Sequence, residues 1–209
     1  YKKDEVVRLK VIVHVGPKGF QKVGHICFAY DDIVYSYGNY DSDSFHLNQT
    51  IGDGIFFTVP LEKYIPNMIS AENNSIFEYG IYTTSKQNAL IEKEIEKIRQ
   101  NGYRWYTKIE KEDGYDRFSE YEMDYPSRLH YRTGAKLYKV KSGKFHIYWA
   151  LGDNCASFTD LVLGTLGADV LSIRGIISPG TYLDWLQKEY LKKNSPIVFR
   201  RIYKEWDSE

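Results

Sequence analysis

Apolar residues along this chain follow two rhythms. Residues 6–15 (Val-Val-Arg-Leu-Lys-Val-Ile-Val-His-Val) alternate with polar ones and then turn mostly apolar, which predicts a strand ended by Gly16-Pro17-Lys18-Gly19. Residues 24–30 and 33–38 flank Asp31-Asp32 and predict a hairpin with a two-residue turn. Residues 55–59, led in by Gly52-Asp53-Gly54, then 75–83 and 197–203, read as further strands. Residues 135–140 and 144–150 read as a second hairpin across Ser142-Gly143, and residues 62–65 as a short helical turn. The helical rhythm is clearest over 85–101, where Ser85 caps and Ile91, Ile95 and Ile98 form one stripe between charged faces. Residues 181–192 form another helix, opened by Ser178-Pro179-Gly180, with Tyr182, Leu183, Leu186 and Tyr190 inward.

A third helix starts at Cys155. Gly152-Asp153-Asn154 reads as a turn whose Asp153 or Asn154 caps it, Phe158, Leu161, Val162 and Leu166 make the buried stripe, and the helix ends near 164–167. Residues 102–133 are aromatic and polar without a period, broken by Asn101-Gly102, Asp113-Gly114 and Pro126, and read as a long loop or insertion. Strands cluster at both ends with helices between and after them, which is an α+β pattern. One domain over 1–209 with an insertion at about 84–134 is expected.

Composition narrows the function classes. Basic and acidic residues balance at 28 each with no basic stripe, which disfavours nucleic-acid binding. No apolar run is long enough to span a bilayer, and the opening residues Tyr1-Lys2-Lys3-Asp4-Glu5 have no signal-peptide character. The 19 tyrosines suit a polar, sugar-like or peptide partner. Two cysteines, Cys27 and Cys155, make no disulfide framework, and a bridge between them is not expected. No histidine pair has metal-ligand spacing, and Asp41-Ser42-Asp43 lacks the glycine and glutamate of a calcium loop, so neither metal nor cofactor is expected.

Cys155 is the candidate nucleophile. A thiol at the amino end of a helix feels its positive pole, which favours the thiolate. The bland alternative is a small residue in an ordinary core helix. A nucleophile needs a base, and of the five histidines (His14, His25, His46, His130, His146) His25 is the best placed, opening a strand after Gly24 inside an apolar run. In the hairpin proposed, Cys27 pairs with Ser36 and His25 with Gly38, so His25, Cys27, Ser36 and Gly38 share a face and Ser36 can hold the imidazole. His146 is the fallback base, and His14 is read as structural.

Gly24-His25-Ile26-Cys27-Phe28-Ala29-Tyr30, then Val34-Tyr35-Ser36-Tyr37-Gly38, and much later Asn154-Cys155-x-Ser157-Phe158 at a helix start, resemble the circularly permuted NlpC/P60 branch of papain-like enzymes. There the histidine strand precedes the cysteine helix. The Tyr-Ser-Tyr-Gly segment, Gly52-Asp53-Gly54 and the helix start at Ser178-Pro179-Gly180-Thr181 resemble secreted bacterial effectors of this kind, including antibacterial toxin domains. The resemblance covers residues 22–60 and 144–190, and departs from the family at the third position, where relatives carry histidine or an acid and this chain has Ser36.

The resemblance implies a papain-like fold, catalytic Cys155, His25 and Ser36, and amide cleavage through a thioester. It implies a peptide or peptidoglycan substrate, with residues 102–133 helping to form the groove, and an immunity or inhibitor protein as a possible partner. It also implies delivery outside the producing cell, or an excised effector domain, with a cytoplasmic site still open. Rival readings are a protease, deamidase or acyltransferase using the same dyad on a protein or lipid, as in the lecithin-retinol acyltransferase relatives. Another is a binding module in which Cys155 and His25 belong to the core.

Overall fold

The computed structural model describes residues 6–16, 23–112, 119–166 and 178–204. Most of the predicted turn at 16–19, the Asp113-Gly114 break and Gly167 lie outside the described residues. Among the described residues, eight strands form one antiparallel sheet in the order β10-β6-β1-β2-β3-β5-β8-β7. They are β1 (Leu9–Val15), β2 (Val23–Tyr30), β3 (Ile33–Gly38), β5 (Ile55–Pro60), β6 (Ser75–Ile81), β7 (Gly102–Trp105), β8 (Lys136–Val140) and β10 (Ile197–Tyr203). A two-stranded ribbon pairs β4 (Ile51–Asp53) with β9 (Ile147–Trp149). The helices are α1 (Leu61–Ser70), α2 (Ser85–Gln100), α3 (Lys108–Lys111), α4 (Tyr125–Thr133), α5 (Cys155–Leu163) and α6 (Pro179–Tyr190). The fold is α+β.

Strand alternation sorts the core onto two faces. Val11, Val13, Ile26, Phe28, Tyr35, Tyr37 and Phe56 pack with α2, α5 and α6 on one face. Ile12, Cys27, Ala29, Val34, Phe57 and Val59 pack with α1 and α4 on the other. The chain is thus a sheet between two helical layers.

Several expectations change. The short turn at 62–65 is the whole of α1, in which Leu61, Tyr64, Ile65 and Met68 are buried at helical spacing despite Pro66 inside the helix. The residues expected to be a loop over 102–133 hold β7 at the sheet edge and the helices α3 and α4. Thr84, not Ser85, caps α2 through a capping box with Gln87. The second hairpin fails as drawn: β8 pairs with β5 and β7, while β9 pairs with β4. Phe145 takes a φ of 68° between them, redirecting the chain. Gly54 makes that path possible, since a Cβ there would lie 1.8 Å from the Phe145 carbonyl oxygen.

Candidate active site

The cysteine helix begins as its sequence dictates. Asn154 is extended, and its side-chain oxygen accepts from the backbone N–H of Ala156 (3.0 Å) and Ser157 (3.1 Å). Ser157 Oγ accepts in return from Asn154 N–H at 2.9 Å, completing a capping box. One turn on, Phe158 is 2 % exposed and stacks on Tyr37 with ring centroids 4.9 Å apart. A capped start and a buried aromatic anchor hold Cys155 against β2 and β3.

The hairpin register is the expected one, with Tyr30 opposite Ile33, Ala29 opposite Val34 and Phe28 opposite Tyr35. The ladder then stops, so the expected pairs of Cys27 with Ser36 and His25 with Gly38 do not form. Asp31 N–H bonds to Arg8 O, so counting back in twos along β2 the amides of residues 29 and 27 face β1 and those of 28 and 26 face β3. Continued pairing would give the Ile26 amide to Tyr37. Instead it points at Cys155 Sγ, as do the amides of Ala156 and Cys155 itself. The sulfur lies at the fork where β2 and β3 part, next along the strand from His25. A charge on it is felt by Cys27 and Tyr40, and also by Tyr37 and Tyr148, whose core neighbours belong to the α5 face.

His25 and Ser36 come together as expected, with Nε2 and Oγ 2.6 Å apart. Ser36 is fully buried and His25 half-buried. No hydrogen bond among the described residues joins His25 to Cys155: the sulfur reaches β2 from the α5 face at the Ile26 amide, one residue along, while His25 alternates with Cys27 onto the other face. Burial pushes the Cys155 thiol up to about 11, outweighing the three amides that pull it down, and pushes His25 down to about 4. The expected resting thiolate is therefore corrected: desolvation beats the helix end, and the free site holds a neutral thiol and a neutral imidazole.

The other candidates fall into place around this pair. His14 is structural in the sense expected, buried with its Nε2 2.8 Å from Tyr64 OH and its ring edge-on to His25 at 5.2 Å. Cys27 is buried and free, its Sγ 3.6 Å from the same hydroxyl, with burial raising it to about 12. The fallback base His146 is exposed, and its Nδ1 lies 2.8 Å from Val140 O. Among the described residues no cluster of three or more His, Cys, Asp or Glu could hold a metal ion, and no helix is long and apolar enough to cross a membrane.

Two tyrosines escaped the sequence reading. Tyr64 comes from the helix whose prolines hid it. Tyr40 follows β3 and puts its hydroxyl 3.4 Å from Ser36 Oγ. Tyr125 of α4 stacks on Tyr40 with centroids 5.8 Å apart, so the 102–133 stretch reaches the edge of the site.

No family model, curated protein or solved structure matches this chain.

Proposed function

We propose that the chain is a cysteine hydrolase of the papain-like, permuted NlpC/P60 kind, cleaving an amide bond through a Cys155 thioester. The observation that carries this reading is the fork. Cys155 Sγ sits where β2 and β3 part, at the amide of the residue after His25, whose Nε2 is already committed to Ser36.

The chemistry follows from a neutral start. His25 Nδ1 takes the proton from Cys155 Sγ as the sulfur attacks the carbonyl carbon, so thiolate and imidazolium form only as the new C–S bond does. The Cys155 backbone N–H donates to the developing oxyanion. The imidazolium returns its proton to the leaving amine, leaving an acyl-enzyme. His25 then activates water, which adds to the thioester carbonyl, and the carboxylic acid departs as Sγ regains a proton. Ser36 holds the ring throughout. The resemblance and the tyrosine-rich surroundings favour a peptide cross-link or stem of peptidoglycan, in a secreted antibacterial effector with an immunity protein as its partner. The same dyad acting on a protein amide or a lipid ester is the nearest rival. Burial of the thiol favours a second reading, a non-catalytic glycan- or protein-binding module.

The test is digestion of purified peptidoglycan sacculi by wild type and Cys155→Ala, with released muropeptides read by mass. New fragments from wild type alone support the proposal and identify the bond. Fragments from neither, with Cys155 alkylated only after unfolding, refute it in favour of the binding module.

A further inference from the structure

The third member of the proposed triad has a chemical weakness that its surroundings address. A carboxylate or amide oxygen can only accept from an imidazole N–H, whereas a serine hydroxyl both accepts and donates. If Ser36 O–H donated to Nε2, the ring would carry its hydrogen on Nδ1, the nitrogen that must be empty to receive the Cys155 proton. Nδ1 makes no hydrogen bond among the described residues, so none of these selects the tautomer from that side. Whatever fixes the Ser36 hydroxyl therefore fixes the base.

Tyr40 is the group in reach. Its hydroxyl is 3.4 Å from Ser36 Oγ. Its ring is held on two sides, tilted against Phe57 at 5.4 Å and stacked on Tyr125 at 5.8 Å. Tyr40 lies only four positions after Ser36, so the ring must fold back over the end of β3, and it does so across Gly38. A Cβ on Gly38 would lie 3.0 Å from both Tyr40 Cζ and its hydroxyl oxygen, so any side chain there displaces the ring by a few tenths of an ångström.

The geometry points to Tyr40 as a positioning residue, its phenol oxygen accepting the Ser36 proton so that Ser36 presents a lone pair to His25 Nε2–H and leaves Nδ1 free. This rests on the acyl-transfer reading for its use in catalysis, but the hydrogen-bond chain stands independently. Gly38 is part of the device, because it is the residue over which the tyrosine reaches back.

Nitrogen-15 correlation spectra of the histidine side chains test it without any substrate. In the wild type, His25 carries its hydrogen on Nε2. In Tyr40→Phe, which keeps the ring and its stacking, the Nε2–H to Nδ1–H ratio falls roughly five-fold, the worth of one net hydrogen bond. Gly38→Ala, which keeps the phenol but shifts it, moves the ratio the same way. His146, whose Nδ1 is engaged by Val140 O rather than by the His25 ring, serves as the control, its signals unchanged in both variants. A wild-type His25 in the Nδ1–H form, or a ratio unmoved by Tyr40→Phe, overturns the assignment. Loss of the acyl-transfer reading shows elsewhere, as sacculi left intact by a wild type whose His25 tautomer still responds to Tyr40→Phe.

Discussion

Raising the pH probes whether the nucleophile is charged before substrate arrives. Burial moves Cys155 from an ordinary 9.0 to about 11. Each unit is about 1.4 kcal/mol, so the folded site disfavours the thiolate by about 3 kcal/mol relative to an exposed thiol. At pH 7 roughly one molecule in 10,000 then carries the thiolate, about a hundred-fold fewer than for an unburied cysteine. His25 does not offset this at rest, since its own packing holds it near 4. The assay is iodoacetamide alkylation from pH 6 to 11, with peptide mass mapping to separate Cys155 from Cys27. Limited access slows every point alike, so the shape of the profile carries the information. Its logarithm should climb with unit slope through pH 9 and level only near 11. His25→Ala should leave that limb in place, because the imidazole contributes no charge to the free site. A plateau reached below pH 7, lost in His25→Ala, would show a standing thiolate–imidazolium pair and refute the neutral-site mechanism.

Acid should weaken the fold through His25. Its folded value, about 4, lies below the ordinary 6.5, so the stability it contributes is present above pH 6.5 and lost as pH falls toward 4, by about 3 kcal/mol at pH 4. Urea midpoints at pH 7 and pH 4.5 should differ by at least this much, and His25→Ala should shrink the difference without abolishing it, since burial holds His14 low as well; equal wild-type midpoints would contradict the burial argument. Ser36→Ala removes the only hydrogen bond to the His25 ring among the described residues and should cost about 1–2 kcal/mol in urea unfolding while lowering kcat with KM unchanged, a KM-only effect arguing against an orienting role. Gly54→Ala sets a methyl against the Phe145 carbonyl and should destabilise by more than about 3 kcal/mol, visible as a large fall in Tm; a near-neutral variant would mean that Phe145 does not pass over Gly54.

What the sequence reveals here depends on how local the cause is. The pairing of His25 with Ser36 is legible because the two-residue turn at Asp31-Asp32 sets a register and alternation does the rest. The start of α5 is legible because Asn154, Cys155 and Ser157 cap it among themselves. The helix α1 is not, since Pro66 masks an apolar spacing that tertiary packing upholds. Partners of β9 are invisible for a different reason: a left-handed Phe145 and a missing Cβ at Gly54 decide them, and these lie far apart in the chain. The charge of Cys155 is the least local property of all. It depends on β2, β3 and Phe158 closing around the sulfur, which no pattern near residue 155 announces.

The fork itself offers the strongest physical hint that this core serves more than stability. An amide in a sheet interior ordinarily meets a carbonyl, and the Ile26 N–H faces a sulfur, a far weaker acceptor. Closing β2 onto β3 for one more pair would gain about 1 kcal/mol per hydrogen bond, and α5 stands in the way with Cys155 at its tip. A purely structural helix could begin a residue later, or carry alanine there, and let the strands close. Hydrogen exchange measures this directly. The Ile26 amide should exchange much faster than that of Phe28, the last paired residue, and Cys155→Ala should slow it by letting Tyr37 take the proton. Equal protection of Ile26 and Phe28 in the wild type would mean that the strands already pair, leaving the thiol no opening toward His25.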